Sequence, residues 1–398
     1  MDFDLTDEDT RYARELREYL DAIPEGELSA ARSFDIIDMS NAAYAFRRRL
    51  GRDGWLALPW PVEYGGRGAS AVQAWLASEE LAVRRLPLPG LSVTSLGPTL
   101  IRRGSQEQKE EFLPGVRDAS KLIALGYTEP DAGTDLASLQ CRAVRDGHGY
   151  RVDGQKIFTS GAHHATHIWT AVRTDPDAPK RDGISILIIP TDADGMTITP
   201  LTTQAGERTN QVFFDNVFVD ARYRVGAEND GWAIVRTALD FERMSLIPAS
   251  AIRRDWQDLA GLMQDRYGHE WSHDGNEPRG NVDAASSLFA LAELRVDAEI
   301  ARLLFVRTAL LADEGVVPHA EASFAKVWSS ETRMRMSSAA LDLMGPDGQY
   351  PRGAAGAPLD GDFAWLYLFS PVKRFGGGTN EVQRQLAARA RLKELGHQ

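Results

Sequence analysis

The chain of 398 residues has a single cysteine, Cys141, no excess of positive charge and no long apolar run. One thiol rules out an intrachain disulfide and a cysteine-based metal cluster. Lysine and arginine number 45 against 57 aspartates and glutamates, a formal net charge of −12. A nucleic-acid binder usually shows a basic face, so the charge argues against that class, but not against a phosphate-bearing ligand in a local basic pocket. No apolar stretch approaches the roughly 20 residues of a membrane span. The first ten residues, MDFDLTDEDT, are acidic and hold no apolar signal core, so a cytoplasmic protein without a signal peptide is expected. Internal repeats and low-complexity tracts are absent as well. What remains is an ordinary globular composition, 43% hydrophobic and 26% charged, on a chain long enough for two or three domains.

Periodicity changes twice along the chain. Thr6 followed by Asp9 is a helix-start box, after which Tyr12–Leu20 carries apolar residues at helical spacing. Further helices are expected at Asn41–Leu50, Ala71–Val83 and Gln106–Pro114, with a Pro- and Gly-rich connector from Gly54 to Ser70 that packs Trp55 and Trp60 into the core. From about Leu122 short β-rich runs follow: Gln140–Val144, Tyr150–Val152, His167–Thr174, Ile184–Ile189, Met196–Leu201 and Gln211–Val219. After Gly231 the helical period resumes, with helices expected at Trp232–Leu262, Asp283–Glu314, Ala320–Leu343 and Asn380–Leu395 and a polar loop at His269–Asn281. The pattern is α+β and multidomain: helical over 1–120, β over 121–230, helical over 231–398.

The stretch from Ala124 to Gly161 organises the chain. An apolar run, Leu122–Leu125, ends in Thr128, Glu129, Pro130, Asp131 and Gly133, turn-formers whose backbone N–H groups cannot all pair within a sheet. Such a loop presents N–H groups and the Thr128 and Thr134 hydroxyls to a flat polar ligand. Asp153-Gly154 is a hairpin signal that would return Gln155–Phe158 beside the loop. The two segments, TEPDAGTD and then KIFTS, resemble the middle domain of the acyl-CoA dehydrogenase family, where TEP-x-AG-[ST]-D and K-x-[WF]-x-[ST] enclose a flavin ring. Resemblance extends over nearly the whole chain. It implies an N-terminal helical domain, a middle β-barrel or sandwich, a C-terminal four-helix bundle, and non-covalently bound FAD.

In that family an α-proton leaves an acyl-CoA thioester while a hydride leaves the β-carbon, which requires a carboxylate base and an oxyanion site. Many members carry the base in a Tyr-Glu-Gly-Thr segment near the C-terminus; here RFGGGTNEVQR puts Gly377 at that place. A second family arrangement sets the base before an Arg on the first long helix of the C-terminal domain, which matches Glu242-Arg243. Spacing supports this independently, because Trp232, Val235, Leu239, Glu242 and Leu246 fall at steps of three and four, so Glu242 interrupts an apolar stripe. A carboxylate on a buried face is costly unless paired or protonated. The bland alternative is a structural Glu bonded to a buried Arg or Trp. Asn380 with Gln383 reads as a helix-start box after three glycines.

The resemblance also implies roles residue by residue. Leu125, Tyr127, Thr128, Phe158, Thr159 and Ser160 correspond to flavin contacts, and Thr134 to a residue touching both cofactor and CoA. Thr379, Asn380 and Glu381 correspond to the flavin's pyrophosphate or ribityl region. Asp240 and Arg243 correspond to positions near the CoA nucleotide. Gly377 keeps its N–H as oxyanion donor and leaves room for a branched or bulky acyl group. Electron-transfer flavoprotein is the implied acceptor. Two motifs that reach a neighbouring subunit's FAD are altered: QDRYG has Gln264 where the family has Arg, and Asp342-Leu-Met-Gly-Pro-Asp-Gly348 replaces a Gln-x-x-Gly-Gly-x-Gly run. A homo-oligomer with looser FAD contacts and a heterotetramer with a second acyl-CoA dehydrogenase-like chain both fit. A flavin oxidase or monooxygenase, or a non-catalytic partner subunit, are the rival functions. His163, His164 and His167 read as a turn and a strand rather than a metal site, since neighbouring strand residues face opposite ways. The runs Arg47–Arg49 and Arg253-Arg254 read as solvated helix faces.

Overall fold

A computed structural model describes residues 5–32, 39–243, 249–271 and 282–396. The chain divides into two compact units, one of Glu8–Ser245 and the other of Met1–Asp7 with Leu246–Gln398. The first begins with helices α1 (Asp7–Asp21), α2 (Glu25–Ala31), α3 (Asn41–Arg52), α4 (Ala71–Val83), α5 (Gly97–Arg103) and α6 (Gln106–Arg117). Helix α1 starts one residue after Thr6 and buries Tyr12, Leu16 and Leu20, one apolar stripe at four-residue spacing. Ser70 with Gln73 and Ser105 with Gln108 form complete capping boxes that fix the starts of α4 and α6. In the connector between α3 and α4, Trp55 and Trp60 are buried as expected, and the Trp60 indole N–H donates to the Val93 carbonyl at 3.0 Å. Not foreseen were α2, α5 and a π-helical turn, Ser92–Leu96, that runs into α5.

The strands are β1 (Ile123–Gly126), β2 (Arg142–Asp146), β3 (Gly149–Lys156), β4 (His167–Arg173), β5 (Ile184–Pro190), β6 (Met196–Thr202), β7 (Arg208–Asp220) and β8 (Arg224–Val225). They form one sheet in the order β6-β7-β3-β2-β4-β5-β8, with β1 beside β4 in parallel. All six β-rich runs read from the sequence are strands. One turn was misplaced. The β2–β3 hairpin turns at Gly147-His148, where Asp146 pairs with Gly149. Asp153-Gly154 lies inside β3, where the ladder to β7 shifts register between Val152 and Gly154. Gly154 takes φ +139°, and a Cβ there would sit 2.8 Å from the Cys141 Cα, so this bulge has room only for glycine. Helix α7 (Gly231–Arg243) follows β8 and packs on the π-helical turn, α5 and β5.

The second unit holds α8 (Ala249–Trp271), α9 (Val282–Asp313), α10 (His319–Met344), α11 (Asp362–Phe369) and α12 (Asn380–Glu394). Helix α8 packs on α9 and α10, and α12 on α10, in a four-helix bundle crossed by a buried ion pair between Arg333 and Asp255 at 3.0 Å. The single helix expected over Trp232–Leu262 is described as α7 and α8; residues 244–248, including Leu246 of the apolar stripe, lie outside the described residues. Of the loop expected at His269–Asn281, the first part continues α8 to Trp271 and 272–281 lie outside them. Arg253 is exposed and Arg254 pairs with Asp258, as a solvated face requires. The other basic run is not uniform. Arg48 is exposed and Arg49 pairs with Glu27, but Arg47 turns inward and is only 5% exposed.

Candidate active site

The loop after β1 is built around a carboxylate. Glu129 and Ala132 exchange backbone hydrogen bonds of 3.1 and 3.2 Å, which closes Pro130-Asp131 into a tight turn. The Glu129 side chain, 7% exposed, accepts from the Gln140 and Cys141 N–H groups at 2.6 and 2.9 Å and from Lys156 Nζ at 2.7 Å. Lys156 is fully buried and also donates to the Tyr127 carbonyl at 3.1 Å. One ion pair therefore ties the loop to the start of β2 and the end of β3. In the sequence Glu129 reads as another turn-former and Lys156 as a motif letter; only their pairing across the sheet reveals the role. Arg173 adds a further clamp, donating to the Ala137 carbonyl at 2.6 Å.

The return segment lies against that loop, with the Ile157 N–H donating to the Thr128 carbonyl at 2.9 Å. Phe158 then takes φ +57° and leaves its ring 59% exposed. A bulky residue with positive φ is strained, and such strain persists where the surroundings impose it. Thr159 is fully buried, hydrogen-bonded through its backbone to Asn210, while its hydroxyl meets no partner among the described residues. Ser160 shares a 3.1 Å hydrogen bond with Thr209. Leu125 is half-buried in β1, paired in register with Trp169 of β4, and Thr134 is exposed. The three histidines do not converge: the His163 and His164 rings are tilted against each other with centroids 4.1 Å apart, and His167 sits edge-on to Phe112 at 5.0 Å.

Helix α7 faces the same core. Ile234, Val235, Ala238 and Glu242 are its buried positions, with Trp232 and Leu239 at the flanks. The Ser95 hydroxyl donates to the Ala238 carbonyl at 2.6 Å, locking the helix to the π-helical turn one helical turn before Glu242. Glu242 is 6% exposed and close enough to Tyr127 for its charge to act on the phenol. Burial first, and the Glu242 carboxylate second, push the Tyr127 phenol far above its ordinary value, against the opposing Trp169 indole N–H that donates to it at 3.0 Å. Tyr127 thus joins the loop after β1 to the carboxylate on α7. Asp240 is half-buried on the next face, and the Arg243 side chain lies outside the described residues.

In the bundle unit, the glycine triplet is held from beneath. Gly377 takes φ +67°, a conformation that disfavours any side chain, and its N–H donates to none of the described residues. The helix start differs from expectation: Thr379 is the N-cap of α12, accepting from the Val382 N–H at 3.3 Å. Asn380 is buried instead, bonded to Lys326 Nζ at 2.7 Å, Ser330 and Glu331, because it lies one position inside the helix and faces α10. Gln383 reaches back to the Gly377 carbonyl at 2.7 Å, and Lys326 also caps the Arg374 and Gly378 carbonyls. Glu381 is exposed and pairs with Arg374. The two altered subunit-contact motifs meet at one end of this bundle. Arg266 of the QDRYG stretch donates to the Leu343 carbonyl at 3.1 Å and pairs with Asp347 at 3.3 Å.

A helical N-terminal region, a β sheet with a turn-rich loop, and a helical bundle carrying a glycine-rich loop match the three-domain architecture of a family of flavoprotein oxidoreductases. Residues 10–119, 124–217 and 229–392 match, in turn, the acyl-CoA dehydrogenase N-terminal, middle and C-terminal domains. The chain belongs to the acyl-CoA dehydrogenase family. The acyl-CoA dehydrogenase FadE29 of Mycobacterium tuberculosis is 37% identical over 408 residues, spanning 99% of this chain and 98% of that one. Among solved structures, a Tcur3481-Tcur3483 steroid ACAD superposes with a TM-score of 0.88 at 34% identity, covering 100% of both chains. The ChsE4-ChsE5 complex from Mycobacterium tuberculosis does so at 0.85 and 34% identity, again over 100% of both. Members of this family are FAD flavoproteins, and FAD is the cofactor here. The site fits it: Thr159 has a buried hydroxyl in need of an acceptor or donor, and Phe158 is held as an exposed aromatic face beside the loop. Among the described residues no helix is long and apolar enough to cross a membrane.

Proposed function

We propose that this chain catalyses α,β-dehydrogenation of an acyl-CoA thioester with Glu242 as the base. The observation that carries the reading is a carboxylate buried on an otherwise apolar helix face, facing the tyrosine that leads into the flavin loop. A carboxylate held on that face beside Tyr127 is placed to act as a general base toward the α-carbon. FAD, when bound, accepts the hydride leaving the β-carbon. Thr128, Phe158, Thr159, Ser160, Leu125 and Tyr127 would hold and orient it, and Thr379, Asn380 and Glu381 are proposed as further contacts, Asn380 through its backbone because its amide is engaged within the bundle. Gly377 supplies a backbone N–H to the thioester oxygen, and Thr134, Asp240 and Arg243 contact the CoA moiety. The absence of a side chain at Gly377 suits a branched or bulky acyl group. Electrons pass to an electron-transfer flavoprotein, in the cytoplasm.

The proposed assembly includes a second acyl-CoA dehydrogenase-like chain. Support comes from the two-component composition of the steroid ACAD and ChsE4-ChsE5 structures, together with Gln264 and the Asp342–Gly348 stretch, both changed and both gathered at one end of the bundle. Expression alone and with candidate partner chains, followed by the FAD-to-protein ratio and mass, tests this. The base is tested by Glu242→Gln in the FAD-loaded protein. Removing general-base catalysis is expected to slow turnover about 10²–10⁴-fold, to abolish exchange of the substrate α-proton with deuterated solvent, and to leave FAD content unchanged. Exchange within twofold of the unsubstituted protein would overturn the assignment.

A further inference from the structure

Arg47 is the one cation among the described residues of α3 that the fold buries without an anion. Its guanidinium is 5% exposed, and neither Nε nor Nη2 has a hydrogen-bond partner. Arg49, two residues on, has Glu27 and Tyr19, and the other buried cations, Lys156, Lys326 and Arg333, each have a carboxylate or a set of carbonyls. Around Arg47 the structure places the Tyr44 ring, with the guanidinium carbon 5.8 Å from its centroid, and Gly90, where an added Cβ would lie 3.0 Å from Nη1. Glycine at 90 is thus what leaves space for the head group. Burial pulls the Arg47 pKa down to about 10, so the group still carries its charge at neutral pH.

An unpaired charge in the interior is among the most costly features a fold can keep, and replacing it with an apolar residue of similar size is normally stabilising. Its retention without a partner among the described residues points to an anion that arrives with a ligand. The position is informative. Gly90 leads directly into the π-helical turn Ser92–Leu96; Ser92 of that turn exchanges hydrogen bonds of 3.1 and 3.0 Å with Ile123 of β1, the strand that leads to Tyr127. Ser95 of the same turn holds α7 beside Glu242. The glycine beside the guanidinium and the serine that holds the helix of the carboxylate base therefore belong to one short segment of chain.

We propose that Arg47 anchors a carboxylate on the acyl part of the substrate, remote from the thioester, so that the protein prefers CoA thioesters whose acyl group carries a second carboxyl. A guanidinium meets a carboxylate through two parallel N–H donors, which accounts for two adjacent unsatisfied nitrogens. A free inorganic anion would have to shed its water unaided, whereas a tethered carboxylate is carried in by the binding of the rest of the molecule. This inference rests on the acyl-CoA reading above, and its test is arranged to fail separately.

The experiment uses the FAD-loaded protein, with its partner chain if one is required, and CoA thioethers, which cannot be dehydrogenated. Binding of an ω-carboxyalkyl-CoA and of the methyl-ended alkyl-CoA of equal length is measured by calorimetry for the unsubstituted protein and for Arg47→Met. The carboxylated ligand is expected to bind at least tenfold more tightly to the unsubstituted protein, and Arg47→Met to erase that preference while leaving the methyl-ended ligand within threefold. Without ligand, Arg47→Met is expected to melt at the same temperature or higher, the opposite of what loss of a structural arginine gives. No preference for the carboxylated ligand, or a clear fall in melting temperature, would overturn the proposal. Equal stabilisation of the unsubstituted protein by acetate or phosphate alone would also overturn it, by making the site one for a free ion. Preference for the carboxylated thioether together with unimpaired proton exchange in Glu242→Gln would uphold Arg47 and sink Glu242.

Discussion

Lys156→Met is the substitution with the largest expected consequence for the cofactor loop. The ammonium it removes is fully buried and joins the Glu129 carboxylate to the Tyr127 carbonyl. Afterwards the carboxylate keeps its two backbone donors at Gln140 and Cys141 but faces the interior without a counter-charge. Breaking one half of a buried pair costs about 3–5 kcal/mol. For a unit of this size each kcal/mol moves the melting temperature by about 2–4 °C, so a fall of roughly 6–20 °C is expected. Circular dichroism melts of the FAD-free and FAD-loaded forms, read together with the visible spectrum, give the stability loss and the FAD content. FAD content is expected to fall as well, because the loop from Thr128 to Thr134 loses its tether. Glu129→Gln should cost a similar amount, and the double variant less than the sum by about 1–3 kcal/mol, the signature of direct coupling. A loss under about 1 kcal/mol for Lys156→Met with full FAD retention would refute the claim that this pair builds the loop.

Other substitutions address separate parts of the molecule. Tyr127→Phe removes the acceptor of the buried Trp169 indole N–H and is expected to cost about 1–3 kcal/mol in a denaturant titration. Lys326→Met frees the Arg374 and Gly378 carbonyls and Asn380 at once; a drop in FAD affinity larger than the change in bundle stability is expected, measured by fluorescence titration. His167 is held below its ordinary 6.5 by burial and then by Lys121. The unfolded chain therefore takes up that proton first, so the histidine's contribution is complete above about pH 7 and is lost as pH falls through 6.5 toward the lower folded value. His167→Gln should flatten that part of the stability profile, and an unchanged slope would count against the burial described for the ring.

Elements with their own local signals were legible in the sequence. Helices α4 and α6 begin at Ser70 and Ser105, where a capping residue and a glutamine three positions on announce the start, and the β-rich runs each became a strand. Where signals compete, local reading failed. Asp153-Gly154 carries a hairpin turn's letters, but the tight approach of Cys141 and the β7 ladder made it a bulge. Asn380 and Thr379 are both good caps, and only the packing of α10, with Lys326 and Ser330, decides which one enters the helix. Arg47 and Arg49 look alike in sequence; helical phase turns one outward to Glu27 and the other inward beneath Gly90. The burial of Glu242 was readable because a carboxylate interrupting an apolar stripe is a local anomaly, whereas the role of base was implied by the resemblance. The ion pair of Glu129 with Lys156 was not, since neither residue is unusual until the sheet brings them together.

The sheet also sets an order of assembly. Strand β3 pairs with β7 from Gly149 opposite Asp220 to Lys156 opposite Val212, so a long loop must close before the β2–β3 and β6–β7 hairpins are joined. Loop closure is an entropic toll collected before any contact is made, and ladders between distant segments are slow to form. Lys156 is the last residue of that ladder, and the Glu129 loop hangs from it. Half of the cofactor's cradle can therefore take shape only after the slowest pairing is finished, which makes FAD a late passenger on the folding route and not its nucleus. Adding FAD to a refolding reaction should raise the yield of the finished protein without hastening its appearance.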